Sequence, residues 1–275
     1  VRNGIQDPYR MTNRTEGPLI AAGDRPPTVI VNPKGASSFL LIGDHAGNSV
    51  PVSLGSLGLD DAELGRHIGW DIGVGEVGRL LANRLDAVFI HQTYSRLVVD
   101  CNRSETQPDA IAETSDGTPI PGNRDLSEAD RAARYAVIHA PYHAAIAAEI
   151  ARRDAAGQPT ILVALHSFTP AMRGADGAGL RPWHIGILHE GGDTRFALAM
   201  LEVLAGEPDL VVGDNEPYRM DLIDYTIPRH AYPARRLYAE IEIRQDLIGA
   251  PDDCAAWAER VASALTSASA RVRPA

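Results

Sequence analysis

Phe39-Leu40-Leu41-Ile42-Gly43-Asp44-His45-Ala46-Gly47-Asn48 carries a short apolar run straight into an acid, a histidine and an amide. A second run, Thr160-Ile161-Leu162-Val163-Ala164-Leu165, ends in the same way on His166-Ser167. In open α/β sheets the ligand crevice lies outside the carboxyl ends of the strands. Two histidines delivered there by different strands can therefore converge on one metal ion or one substrate.

Working outward from these runs, short apolar stretches alternate from Ser37 onward with longer helical periods, the pattern of a sheet covered by helices. Strands are expected at Phe39 to Gly43, Ala87 to Ile90, Leu97 to Asp100, Thr160 to Leu165, His184 to Leu188, Leu210 to Val212 and Leu237 to Ile243. Helical periods cover Gly73 to Leu85, Ser127 to Ala155, Thr194 to Ala205 and Asp252 to Ala270. Pro141 lacks the N–H that a helix interior requires, so the second helix should kink or restart near His139. The expected fold is α/β: a single three-layer domain over residues 28–275, its mixed, mostly parallel sheet flanked by helices. Residues 1–27, polar and rich in Asn, Arg and Pro, read as a loose N-terminal arm. Long irregular stretches at Cys101 to Asp125, Ser167 to Pro182 and Gly213 to Pro233 read as binding loops or lids. In a mainly parallel sheet all three share an edge with His45 and His166.

Composition narrows the partners. The 275 residues carry 26 Lys plus Arg against 36 Asp plus Glu, a formal charge of −10, with no basic cluster able to track a phosphate backbone. Nucleic acid is not an expected partner. No apolar stretch has the length of a signal peptide or a membrane span, so no membrane partner is expected either. The two cysteines, Cys101 and Cys254, suit a reduced, cytoplasmic setting. Oligomeric state is not readable. Gly-x-Ser-x-Gly, P-loop and Gly-x-Gly-x-x-Gly motifs are all missing, which removes the usual support for serine hydrolases, nucleotide hydrolases and dinucleotide enzymes.

The candidate chemistry lies in a few segments. Zinc takes nitrogen and carboxylate ligands in tetrahedral geometry, and catalytic sites keep one position open. His45 with Asn48, three residues on, and His166 would supply two nitrogens and a weak oxygen; the alternative is that each histidine only hydrogen-bonds a loop carbonyl. Arg103, helped by Arg96, can clamp an acidic substrate through planar pairing with its carboxylates, unless it is absorbed in a structural pair with Asp100. Alternation in Tyr238-Ala239-Glu240-Ile241-Glu242-Ile243-Arg244 sets Glu240, Glu242 and Arg244 on one face, which fits a solvated strand face or a general base near the crevice. Most of the remaining histidines read as structural or surface residues; His143 beside Tyr142 and His230 in a loop with Asn215 and Tyr218 are the exceptions, and Asn215, Tyr218 and His230 are the candidates for substrate contact.

Together these segments resemble the N-formylglutamate amidohydrolase family. The resemblance spans about Ser38 to Leu247 and includes Asp44 to Pro51, Trp70-Asp71-Ile72-Gly73, Ser95 to Arg103, Pro141-Tyr142-His143, Leu165 to Phe168, Asp214 to Tyr218 and Glu240 to Leu247. That family is in turn similar to zinc carboxypeptidases and the aspartoacylase group, which implies a zinc-exopeptidase-like fold. The resemblance implies His45 and His166 as zinc ligands, Asn102-Arg103 as the clamp for a small acidic substrate and Glu242 as base, with Arg96 or Arg103 also facing the oxyanion. Asn48 stands where the wider group has Glu, so Asp44 or Asp71 is the alternative third ligand. The implied reaction is hydrolysis of N-formyl-L-glutamate in histidine breakdown. Another N-acyl amino acid or a peptide as substrate, or a metal-free carboxylate-binding module, are the competing outcomes.

Overall fold

The computed structural model describes residues 18–172, 181–220 and 224–272. In chain order its strands are β1 (Thr28–Val31), β2 (Phe39–Gly43), β3 (Val88–Gln92), a small hairpin of β4 (Thr114–Ser115) and β5 (Thr118–Pro119), β6 (Ile161–Phe168), β7 (Ile185–Leu188), β8 (Val212–Asp214) and β9 (Leu237–Arg244). Seven of them form the main sheet in the order β1-β3-β2-β6-β9-β7-β8. The central strands β3, β2, β6 and β9 run parallel, while β1 and β7 join them antiparallel and β8 runs parallel to β7. This is the mixed, mostly parallel sheet of the sequence reading, in one domain.

The helices are α1 (Asp61–Leu64), α2 (Val74–Leu85), α3 (Glu128–Arg134), α4 (Ala140–Ala155), α5 (Arg195–Leu204), α6 (Thr226–His230) and α7 (Pro251–Arg271). Successive strand side chains point to opposite faces, so each central strand feeds two cores. Leu41, Phe89, Val163 and Ile241 pack under α2, α5 and α7, and Leu40, Ile42, Ile90 and Leu162 pack under α4. Truncating one of these fully buried side chains to alanine costs about 2–5 kcal/mol.

Two expectations change, and a third takes a specific form. Leu97 to Asp100 is a buried turn, not a strand: the Val98 N–H donates to the Ser95 carbonyl at 2.9 Å, and Leu97 to Asp100 pair with no strand. An apolar run is read equally well from a strand or from any segment that crosses a core, and Leu97, Val98 and Val99 cross the one beneath α4. Residues 19–27 are fastened to the domain rather than loose. Ser53 donates to the Leu19 carbonyl at 2.7 Å, Tyr94 to Arg25 at 2.6 Å and Thr93 to Pro26 at 2.6 Å; residues 1–17 lie outside the described residues. The long helix carries its irregularity at His139, where Pro141 implied a kink or restart. Ser127 and Asp130 form a reciprocal capping box at its start, and a π turn at Tyr135–His139 joins α3 to α4, with the Ala140 N–H donating to Tyr135 five residues back. Pro141, which has no N–H to donate, follows directly after this wider turn.

Among the described residues no helix is long and apolar enough to cross a membrane. Cys101 and Cys254 are buried free thiols.

Candidate active site

At the carboxyl ends of β2, β6 and β9 lies a cavity of about 640 Å³ lined by His45, Asp71, Arg96, Asp100, Arg103, His166, Glu240 and Glu242. All three long loops reach it, through Asn102 and Asp109, Thr169 and Met172, and Tyr218 and Asp224.

Local structure delivers each group. β2 ends at Gly43, so Asp44 and His45 leave the sheet at its edge. Asp71 is brought to the same place because its N–H donates to the His45 carbonyl at 2.9 Å. Gly73 then turns the chain into α2 with φ of 84°, where any Cβ would lie 2.3 Å from the Ile248 carbonyl oxygen. His166 sits on β6 in register with Glu242 on β9 and is flanked by Ser167, whose N–H donates to Asp71 at 3.3 Å. On β7 the partner of Glu242 is Gly186; a Cβ there would fall 1.9 Å from the Glu216 carbonyl oxygen, so a glycine lets the Glu216–Tyr218 segment lie against the strand.

His45, Asp71 and His166 offer ligand atoms that all lie within 4.8 Å of one another, and all three residues are buried. Both rings turn Nδ1 towards Asp71 Oδ2, at 3.4 Å for His45 and 2.9 Å for His166. Both turn Nε2 towards another carboxylate, Asp100 at 2.7 Å for His45 and Asp44 at 3.3 Å for His166. A carboxylate behind each ring fixes its orientation and raises its basicity, the arrangement that metal-ligating histidines use. Asp44 is itself held by the Thr226 hydroxyl at 2.8 Å.

Charge points the same way. Burial works against a charged His166, yet the flanking Asp44, Asp71 and Glu240 push its pKa well above the ordinary imidazole value. His45 is raised too: burial and Arg96 oppose its charge, and Asp100 and Asp71 override them. The pocket thus favours positive charge between these side chains, and His45 Nδ1 has no hydrogen-bond partner. Two imidazole nitrogens and one carboxylate are the donor set of a catalytic zinc site, and the group fits such an ion.

Asn48, expected as the third ligand, does not join this group. Its Nδ2 donates to the Leu64 carbonyl at 2.7 Å, and its Oδ1 is packed where a Cβ on Gly69 would lie 2.6 Å away. Residues 46–48 belong to no helix, so the three-residue spacing puts His45 and Asn48 on no common helical face. Asp71, one of the two alternatives, stands with the histidines instead. Arg103 is not paired with Asp100; Arg96 is, at 2.7 Å, and it also lies 3.5 Å from Asp71. Arg103 takes the half-exposed Asp109 at 2.9 Å. Asn102 lines the cavity, but its Oδ1 accepts the N–H groups of Tyr225 and Thr226, both at 3.0 Å, so its amide shapes the start of α6. Tyr218 lines the cavity with its hydroxyl accepting from Arg181 at 2.9 Å. Neither Asn215 nor His230 is among the lining residues: Asn215 Oδ1 accepts the His189 N–H at 2.9 Å, and His230 bonds His143 at 3.0 Å.

Glu242 is buried rather than solvated, and burial above all pushes its pKa up to about 8. Glu240 on the same face is likewise raised by burial. Sequence reasoning had no means of pairing Asp100 with His45 or Asp44 with His166. Their position beside the strand-end motifs was the only signal.

The N-formylglutamate amidohydrolase family model matches residues 37–249. The chain belongs to that family. It is an amidohydrolase, and the match covers every residue of the cavity named above. Among solved structures, the gene product Atu2144 from Agrobacterium tumefaciens is 37% identical with a TM-score of 0.87, covering 92% of this chain and 98% of that one. The N-formylglutamate amidohydrolase from Ralstonia eutropha JMP134 is 21% identical with a TM-score of 0.64, covering 88% and 99%, a likeness of fold. No curated protein matches the amidohydrolase.

Proposed function

We propose that this amidohydrolase cleaves the formyl amide of N-formyl-L-glutamate to formate and L-glutamate, using one zinc ion held by His45, Asp71 and His166. The observation that carries the reading is the buried His-Asp-His group with Glu242 in register beside His166. Zinc held by His45, Asp71 and His166 would supply Lewis acidity and a lowered pKa for water at the site. Glu242 takes the proton of the attacking water and returns it to the leaving nitrogen. Burial holds its pKa at about 8 while His166, Arg96 and His45 favour its charged form, and a value close to neutral is where a general base works best.

Two arginines divide the remaining work. Arg96, braced by Asp100 and within 3.5 Å of Asp71, is next to the reacting group and faces the developing oxyanion. Arg103 is paired with Asp109, which is 50% exposed and which a substrate carboxylate can replace at little cost, and its Nη1 also lies 3.9 Å from the more buried Asp224. The net charge of −10 offers an acidic substrate no long-range attraction, and these arginines supply it locally. A cytoplasmic location and a place in histidine breakdown accord with two reduced thiols and this substrate.

The test is formate release from N-formyl-L-glutamate by purified protein. Activity should vanish with a chelator and return with zinc; zinc-replete protein without activity would move the reading to another N-acyl amino acid. A second measurement concerns protons. Because the pKa values of His45 and His166 are raised, zinc competes with protonation of both rings, so zinc affinity should rise with pH. Calorimetric titrations with zinc at pH 7 in buffers of different ionisation enthalpy should show net proton release, and proton-neutral binding would contradict the ligand set.

A further inference from the structure

His139 and His143 are buried, line no part of the cavity and have no place in the chemistry above. Both are nevertheless bonded to the backbone that carries the clamp. His139 Nε2 lies 2.9 Å from the Arg103 carbonyl oxygen, and His143 Nε2 lies 2.9 Å from that of Cys101. A carbonyl only accepts, so each Nε2 carries the hydrogen. His143 Nδ1 is then an acceptor, and His230 Nε2 donates to it at 3.0 Å. Burial, first among the causes, holds all three imidazoles below their ordinary value, His143 down to about 3 and His230 to about 4. The row is neutral and its tautomers are set.

The π turn aligns this row. In an α-helix, residues five apart point about 140° away from each other around the axis, from 3.6 residues per turn. Across Tyr135–His139 the hydrogen bond runs to the fifth residue, which brings Arg134 and His139 onto one face, and His143 follows one α-turn later. Arg134, His139 and His143 thus donate to the carbonyls of Val98, Arg103 and Cys101. From the other side the Asn102 N–H is held by Asp100 Oδ1 at 2.8 Å. Arg103 leaves this pinned backbone for the cavity, with its Nη1 donating to the Asn102 carbonyl at 3.0 Å.

We propose that His139 and His143 are positioning residues for substrate: two neutral imidazole donors on a π-bulged helix that fix the Asn102-Arg103 backbone so that the Arg103 guanidinium meets the substrate carboxylate. The inference rests on Arg103 being the clamp. It assigns a role to the π turn, a feature that recurs at functional sites, and to the Tyr142-His143 segment.

The experiment compares zinc-loaded variants on N-formyl-L-glutamate, with zinc content and melting temperature measured for each. His139→Leu keeps bulk but loses the donor; His139→Gln keeps an N–H near the place of Nε2; His139→Asn is too short to reach. The Leu and Asn variants should raise KM about tenfold, the scale of one lost hydrogen bond, with kcat within about twofold. The Gln variant should restore most of the loss. Adding His139→Leu to Arg103→Ala should raise KM no further than Arg103→Ala alone. If Arg103→Ala raises KM while His139→Leu and His139→Asn do not, the inference is overturned and the clamp stands. A fall in melting temperature at unchanged KM is a purely structural role and overturns it as well. If Arg103→Ala leaves KM unchanged, the clamp and this inference fall together.

Discussion

Glu242→Gln is expected to lower kcat by about 10²–10⁴-fold, the usual contribution of a general base, while KM changes little. The physical reason is that the amide keeps the size and polarity of the side chain and removes only its capacity to take a proton. Burial already favours the neutral form of Glu242 in the metal-free protein, with the pKa near 8, so a neutral amide there brings no new desolvation penalty. Folding and bound zinc at saturation should be preserved. The measurements are kcat and KM for N-formyl-L-glutamate together with zinc content. A glutamine variant retaining more than about a tenth of wild-type kcat would remove Glu242 from the proton transfer. In that case Glu240, two residues away on the same strand face and also buried, would be the carboxyl to test next.

Asp71→Asn should release zinc that Asn48→Ala retains. Asp71 faces both imidazoles, and its pKa is held far below the ordinary carboxylate range: burial opposes that charge, and His45 and His166 more than offset it. Exchanging the charge for an amide at constant volume removes the anionic ligand, and a loss in zinc affinity of at least about 100-fold is expected, since even partners behind the ligands are worth 10–100-fold. Catalysis should fall in proportion to the zinc lost. Asn48→Ala removes the donor to the Leu64 carbonyl, which costs about 1–3 kcal/mol of stability and leaves zinc stoichiometry untouched. Competition of each purified variant against a chromophoric chelator reads the difference directly. Zinc lost from the Asn48 variant but kept by the Asp71 variant would reverse the assignment.

Both experiments turn on residues whose partners lie far away in the chain, and this marks where the sequence could be read. Phe39 to Gly43 and Thr160 to Leu165 were legible as central strands because a strand flanked by helices on both faces must be apolar throughout. His45 and His166 were legible as site residues because they follow those strands, where the crevice of such a sheet lies. Glu240 and Glu242 showed their common face through simple alternation, and the parallel pairing of β6 with β9 made that face the cavity wall. Leu97 to Asp100 misled for the converse reason. An apolar run records burial, and burial alone does not specify extension.

What the sequence determined by itself, then, was the layered α/β class, the edge of the sheet that bears the chemistry and the family. These follow from periodicity and motif order, which are local. The third member of the His-Asp-His group, the pairing of Arg96 with Asp100 and the histidine row behind Arg103 were decided only by the tertiary structure. Spacing along a chain carries angular information only when the chain between two residues is regular: residues 46–48 are not helical, so Asn48 points elsewhere, while an N–H bond from Asp71 to the His45 carbonyl closes a gap of 26 residues.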